Sequence, residues 1–416
     1  MARSLSSAAT IEWPTLAEIA TIMTLQGGYN TTVVLIGTTL LGIAAGTVGT
    51  FTLLRKRALV TDALSHATLP GIALAFILAV VIGIEARSMA LLLTGAVISG
   101  ALGVLLIQLM VRWTRLAEDA AIGVVLGSLF GLGAVLLSYI QSLPTGNQAG
   151  IGAYILGQPA AMNQGEAWAI GMVAAAAVIA TALLFKEFRV LCFDQDYAAA
   201  GGLPIFRLDL AMMALVVVVT VIGLKTVGLI LIVALVIVPP AAARFWTERL
   251  APMLLIAAAI GGASGFIGAT LSALLSRMPA GGIIVLVAGT FFLMSLLFAP
   301  RRGLLADVVR RTALRLRLAE QRHLRALIEG RTSTPGPALA LRLRLRGLID
   351  GNGRLSPRGR VRALAVARNQ RLWEAFMHRY PELAPSGVID AIEPIERILP
   401  ADLVAELDPG AAPQAS

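Results

Sequence analysis

Residues 30–57 read NTTVVLIGTTLLGIAAGTVGTFTLLRKR. Twenty-five residues without a charge run into three consecutive cations, Arg55, Lys56 and Arg57. A hydrocarbon core about 30 Å thick is crossed by about 20 apolar residues of helix. The stretch is therefore a membrane span, and it is helical because lipid offers no partner to unpaired backbone groups. Working outward, similar runs recur at 67–84, 88–111, 120–141, 167–185, 208–223, 226–243, 252–275 and 281–299, about nine transmembrane helices in all. The composition agrees: 57% of the 416 residues are hydrophobic and 14% charged, against about a quarter charged in soluble domains. A soluble enzyme as the main body is excluded. The 41 glycines suit close helix packing in lipid.

Charge is uneven along the chain. Residues 1–300 hold 14 Lys/Arg and 12 Asp/Glu, a net of +2, and residues 301–416 hold 20 and 12, a net of +8. Arg55–Arg57, Arg112 with Arg115, Lys186 with Arg189 and Arg207, Arg244 with Arg249, and Arg301 with Arg302 fall on one side of the nine spans. The opposite side has Arg87, Lys225 and Arg277. By the positive-inside rule the N-terminus is outside and the C-terminus cytoplasmic, in a multi-pass plasma-membrane protein. Residues 1–29 are an outer-face segment, mildly amphipathic over 12–26 around Trp13. The first long run is already of spanning length and does not read as a cleavable signal peptide. The single cysteine, Cys192, excludes an intramolecular disulfide and a cysteine metal cluster.

The transmembrane domain covers 30–300, followed by a basic helix and linker over 301–337. In the tail, Leu339–Ile349, the turn residues Asp350–Gly353 and the strand-like Arg354–Ser356 lead into a helix opened by Pro357. That order predicts a small cytoplasmic α/β domain of winged-helix type over 338–405, with 406–416 a disordered tail.

One constellation can carry chemistry: Asp62-Ala-Leu-Ser65-His66-Ala-Thr-Leu-Pro70-Gly71, at the start of the second span. Residues four apart share a helix face, so carboxylate and imidazole stand together, a reasonable donor pair for a divalent transition cation. Ser65 adds a weaker oxygen or a supporting hydrogen bond. His66 is the only histidine before residue 300. Two readings fit these residues: an ion path, and Asp62 as a helix cap near the membrane surface. Glu85, Arg87 and Glu166 read as interfacial, Lys225 as a snorkelling lysine, and Asp209, just after Arg207, as a helix cap. Pro239-Pro240 reads as a gate or kink, or as a helix end. Gly262-Ala-Ser-Gly265-Phe-Ile-Gly268 lies inside a span and is packing, not a nucleotide loop. Asp350-Gly-Asn-Gly-Arg354 is a turn, not a calcium loop. With no Walker A sequence and no hydrolytic triad, the chain reads as a transport component that works passively or borrows an ATPase, not as an enzyme.

Three segments resemble the permease subunit of the bacterial manganese/zinc/iron ABC importers, of ABC-3 type. They are Asp62–Phe76, Lys186–Gly201 and the stretch Lys225-Thr-Val-Gly228 to Pro239-Pro240-Ala-Ala-Ala. The resemblance implies an ATP-driven importer of manganese, zinc or iron, with ATP bound by a partner subunit and no stably bound cofactor in this chain. It implies a metal path lined by Asp62 and His66, and a homodimer or a heterodimer with a second permease. It also implies coupling to an ABC ATPase through Lys186, Glu187, Phe188, Phe193, Asp194, Asp196, Tyr197 and Gly201, and delivery by an extracytoplasmic metal-binding lipoprotein. Residues 339–400 resemble the winged-helix part of manganese- and iron-responsive repressors around Leu355–Arg360 and Arg368–Glu374. Asn369 and Gln370 stand where that pattern has a ligand histidine. No nucleic-acid partner is expected. Other function classes for these residues are a membrane-anchored regulatory protein working through its basic tail, and a permease for a metal chelate such as a siderophore.

Overall fold

The computed structural model describes residues 15–84, 88–142, 162–275, 278–331, 334–350, 352–380, 395–397 and 399–407. Trp13, Glu85, Arg87, Arg277 and most of the 142–165 loop lie outside the described residues, as do 408–416. The chain divides into two compact units, Met1–Ala306 and Asp307–Ser416.

In the first unit, α1 (Leu16–Met23) precedes α2 (Tyr29–Leu54), α3 (Ala58–Ile82), α4 (Met89–Trp113), α5 (Glu118–Ser142) and α6 (Gln164–Leu183). Two short helices follow, α7 (Phe185–Phe193) and α8 (Gln195–Ala200). Then come α9 (Ile205–Val227), α10 (Leu229–Trp246), α11 (Leu250–Leu274) and α12 (Ala280–Phe298). Among the described residues, nine helices have the length and apolarity to cross a bilayer: α2 to α6 and α9 to α12. This is a multi-pass helical membrane fold.

The most buried of these helices is α2, which packs on α6, α9, α10 and α11, while α3 packs on α4 and α5. In lipid, association rests on close packing because the surroundings are as apolar as the side chains. A Cβ added at Gly42 would lie 2.2 Å from the Gly261 carbonyl oxygen, and one at Gly261 the same distance from that of Gly42. Each backbone thus occupies the place of the other's side chain. Gly265 meets the Thr38 carbonyl in the same way, so the glycines of 262–268 are packing residues.

Hydropathy misplaced two boundaries. The polar Asp62 and His66 lower the average and move the apparent start of the second span to 67, whereas α3 begins at Ala58 and carries both residues in its interior. The two short spans at 208–223 and 226–243 are fuller helices that meet at Gly228, whose φ of 88° suits glycine. The turn is there, and Lys225 lies inside α9.

The second unit corrects the winged-helix expectation. It contains α13 (Leu304–Ile328, begun in the first unit), α14 (Pro337–Leu345), α15 (Pro357–Arg379), a 3-10 turn at Ile395–Arg397 and α16 (Ala401–Leu407). No β-strand occurs among the described residues. Ile349 and Leu355 form one isolated antiparallel bridge, closed by Asp350 Oδ1 accepting from the amides of Asn352 and Arg354 at 3.0 and 2.8 Å. The resemblance to repressor winged helices therefore does not extend to the fold, and the regular structure among the described residues of this unit is all helical. The alternating Leu/Arg run at 339–346 has the period of a strand, but it contains only strong helix formers and no β-branched residue. Pro337 starts it as a helix, and Leu339 and Leu343, four apart, enter a core with Leu324, Leu348, Ile349 and Ala363.

Candidate functional site

Asp62 and His66 stand one turn apart on α3. Asp62 Oδ1 and His66 Nε2 are 3.8 Å apart, with side chains 43% and 25% exposed, and a cation held about 2.1 Å from each spans that gap at an open angle. The imidazole packs edge-on against Phe130 of α5, centroids 4.8 Å apart, and its Nδ1 is buried with no hydrogen-bond partner. Asp62 is the fifth residue of α3, whose N-cap is Arg57, and so is not its cap. Ser65, fully buried, donates to the Thr61 carbonyl at 2.9 Å; it faces the helix backbone and is not beside the pair as a donor. Among the described residues no group of three or more His, Cys, Asp or Glu could hold a metal. One copy of the chain thus offers two donors at this place.

Phe130, packed on His66 along one side, stands at the edge of an exposed face of α5. Gly123, Gly127 and Gly131 are all exposed, and a Cβ on any of them would meet no atom within 4 Å. Phe130 is seven residues from Gly123 and three from Gly127, so it shares their face. The other side of α5 is buried, through Ala121, Val125 and Leu129, and at its margin Gly133 abuts Leu69 and Pro70 of α3. The Asp62–His66 pair thus stands at the edge of an open stripe of glycine.

Pro239 and Pro240 are buried inside α10, which continues to Trp246; they do not end it. Proline cannot donate to the carbonyl four residues back, and the Val236 carbonyl released in this way faces Gly49 of α2, where a Cβ would come within 1.9 Å.

The stretch that holds Lys186 to Gly201 forms the two short helices α7 and α8. Asp194 caps α8, its Oδ1 accepting from the Tyr197 amide at 2.9 Å. Lys186, Phe193, Asp194, Asp196, Tyr197 and Gly201 are exposed, with Phe193 and Tyr197 at 62% and 69%. Phe188 is not: it is buried edge-on against Phe51 of α2, centroids 5.3 Å apart, and anchors α7. Glu187 is half-buried with Oε2 unpartnered. Arg189, Phe193, Asp194 and Tyr197 line a cleft of about 560 Å³ with Glu248 and Pro252.

Sequence reading missed the largest polar cluster. Asp209 on α9 is 3% exposed. It accepts from Arg55 Nη2 at 3.1 Å, from Arg57 Nη1 at 2.5 Å and from the Gln108 side chain of α4. Arg57 also pairs with Glu118, so two cations face two anions. Cys192, beside this cluster on α7, has its thiol pushed up to about 12 by burial and is no thiolate ligand at neutral pH. Two arginines beside a lysine, and an acid inside an apolar helix, were the available signal. Toward the other end of α9, Lys225 pairs with Glu166 of α6 at 2.6 Å, so neither is a lone interfacial charge.

Residues 29–299 match the model of the ABC 3 transport family. The chain belongs to this family. It is similar to the manganese transport system membrane protein MntC of Bacillus subtilis, 41% identical over 300 residues, 72% of this chain and 68% of that protein. It is also similar to the zinc transport system membrane protein TroC of Treponema pallidum, 38% identical over 70% of this chain and 96% of that one. Among solved structures, a chain of PsaBC from Streptococcus pneumoniae in complex with Fab superposes with a TM-score of 0.59 at 30% identity, covering 69% of this chain and 98% of that chain. As an ABC 3 member the chain is a transport subunit and not the ATP-hydrolysing one.

Proposed function

We propose that this chain is the membrane permease subunit of an ATP-driven importer of a divalent transition metal in the bacterial inner membrane, with Asp62 and His66 as its ion contacts. The observation that carries this reading is the half-open carboxylate–imidazole pair on α3 of an ABC 3 family member. Two donors hold an ion weakly, as a path requires: binding must be favourable enough to admit the ion and weak enough to release it. Relatives named for manganese and for zinc support a transition-metal cargo. The open glycine stripe of α5 beside the pair supports a second permease copy or a sister permease there. In an isologous pair the two copies bring four donors to one path, the number that a tetrahedral cation takes.

The exposed α7–α8 surface and its cleft are the ATPase-docking surface in this reading, with Phe193 and Tyr197 as its aromatic contacts. The side bearing Arg55–Arg57, Arg112, Lys186, Arg249 and Arg301–Arg302 faces the cytoplasm and the N-terminus faces out. A metal-binding lipoprotein delivers the ion to the outer face. Pro239 and Pro240 bend or gate α10 beside α2.

The test is ATP-dependent uptake of manganese, zinc and ferrous iron into vesicles holding the chain with its ATPase and binding protein. Concentrative uptake of one metal, reduced at least about tenfold by His66→Ala with the complex still assembled, is the expected result. An assembled complex that moves none of the three ions overturns the reading.

A further inference from the structure

Each partner of Asp209 leads to an element that bears on the α3 pair or on the short helices. Arg57 is the residue from which α3 starts, five residues before Asp62 and nine before His66, about 7.5 and 13.5 Å along the axis at 1.5 Å per residue. Arg57 also holds Glu118, the first residue of α5, the helix whose Phe130 packs on His66. Arg55 reaches the other way. Its Nη1 donates to the Leu191 carbonyl of α7 at 3.4 Å. With its amide oxygen turned inward, Gln195 of α8 accepts from Arg55 Nη2 at 2.7 Å. Lys56, between the two arginines, has a φ of 60°, a left-handed turn that few non-glycine residues adopt; both neighbouring arginines reach Asp209 from it.

A buried charge cluster of this kind resists stretching, because parting one pair leaves a charge uncompensated in a medium of low dielectric. Movement of α7–α8 is therefore transmitted and not absorbed by slack. We infer that the Arg55–Asp209–Arg57 cluster is the mechanical link that passes displacement of α7–α8 to the starts of α3 and α5, and so sets the opening of the Asp62–His66 pair. Arg55, Arg57 and Asp209 are positioning residues that do not contact the ion. The inference rests on the reading of α7–α8 as the ATPase-docking segment.

Arg55→Gln is the discriminating variant, since it cuts the link to α7–α8 and leaves Arg57 and Gln108 on Asp209. In the assembled complex with its ATPase, metal ions moved per ATP hydrolysed should fall at least about tenfold, with ATP hydrolysis and co-purification of the ATPase retained. Arg311→Gln, which breaks an exposed ion pair with Asp307, should leave that ratio unchanged. An Arg55→Gln complex with the wild-type ratio, or one that loses its ATPase on purification, overturns the link. A purely structural role would lower the melting temperature and leave ions per ATP untouched, and that too overturns it. A second measurement needs no transported metal: in a Cys192→Ser background, ATP should change the maleimide reactivity of Asp62→Cys, and Arg55→Gln should abolish the change. If the ATP-dependent change survives Arg55→Gln, the link fails. If wild type moves no metal yet the labelling result holds, the transport reading fails and the link stands.

Discussion

Two aspartates flank the same helix start and are used in opposite ways. Asp209 is buried and holds three partners from two other parts of the chain, while Asp62 is nearly half-exposed and has one neighbour at 3.8 Å. A buried charge persists only when it is fully compensated, so Asp209 belongs to the framework. A carboxylate left open beside an imidazole keeps coordination capacity to spare, which is why Asp62 is the one proposed to meet a cargo ion.

The largest effect expected tests this contrast directly. Asp209→Ala leaves two buried guanidinium groups facing the single carboxylate of Glu118 and should cost about 3–5 kcal/mol of stability, read as a collapse of the melting temperature in detergent. Asp62→Ala should stay within about 0.5 kcal/mol, as for exposed positions without a structural role, while uptake is lost. The reverse order of stabilities breaks the comparison.

A second contrast concerns glycines that are covered and glycines that are not. Gly42→Leu drives a side chain into the α11 backbone and should cost about 1–3 kcal/mol or more. Gly127→Leu meets open space and should leave the monomer's melting temperature unchanged while abolishing permease–permease cross-linking. Unimpaired cross-linking in Gly127→Leu would remove α5 from the proposed pair interface.

The smallest effect lies in the second unit. Burial lowers the pKa of His323 below the ordinary 6.5, so the unfolded state takes up its proton at higher pH than the folded one. Its contribution is complete above about pH 6.5 and is lost as pH falls below that value. Amide protection factors in α13 and α15 of the full chain, referred to the intrinsic exchange rate at each pH, should fall severalfold between pH 7.5 and 5.5, and His323→Gln should flatten the dependence. Equal slopes in the two chains would show that another group titrates.

The spans and the Asp62–His66 pair were legible because hydropathy and the four-residue helical repeat are local properties of the chain. The start of α3 was misjudged for the same reason: the two polar residues that make the site also depress the hydropathy average that marks a span. The Leu/Arg alternation before Arg346 was misleading because period two describes a pattern, whereas the helix is decided by residue propensity, Pro337 and the core that receives Leu339 and Leu343.

By itself, the sequence determined the membrane class, the helical nature of the body, the family motifs and the one carboxylate–imidazole pair. Only the tertiary structure decided which charges are spent on each other. Asp209 finds its partners 154, 152 and 101 residues away, and no local pattern encodes a meeting at that separation. Ion pairing depends on distance and on exclusion from water, and both arise only once the helices have packed.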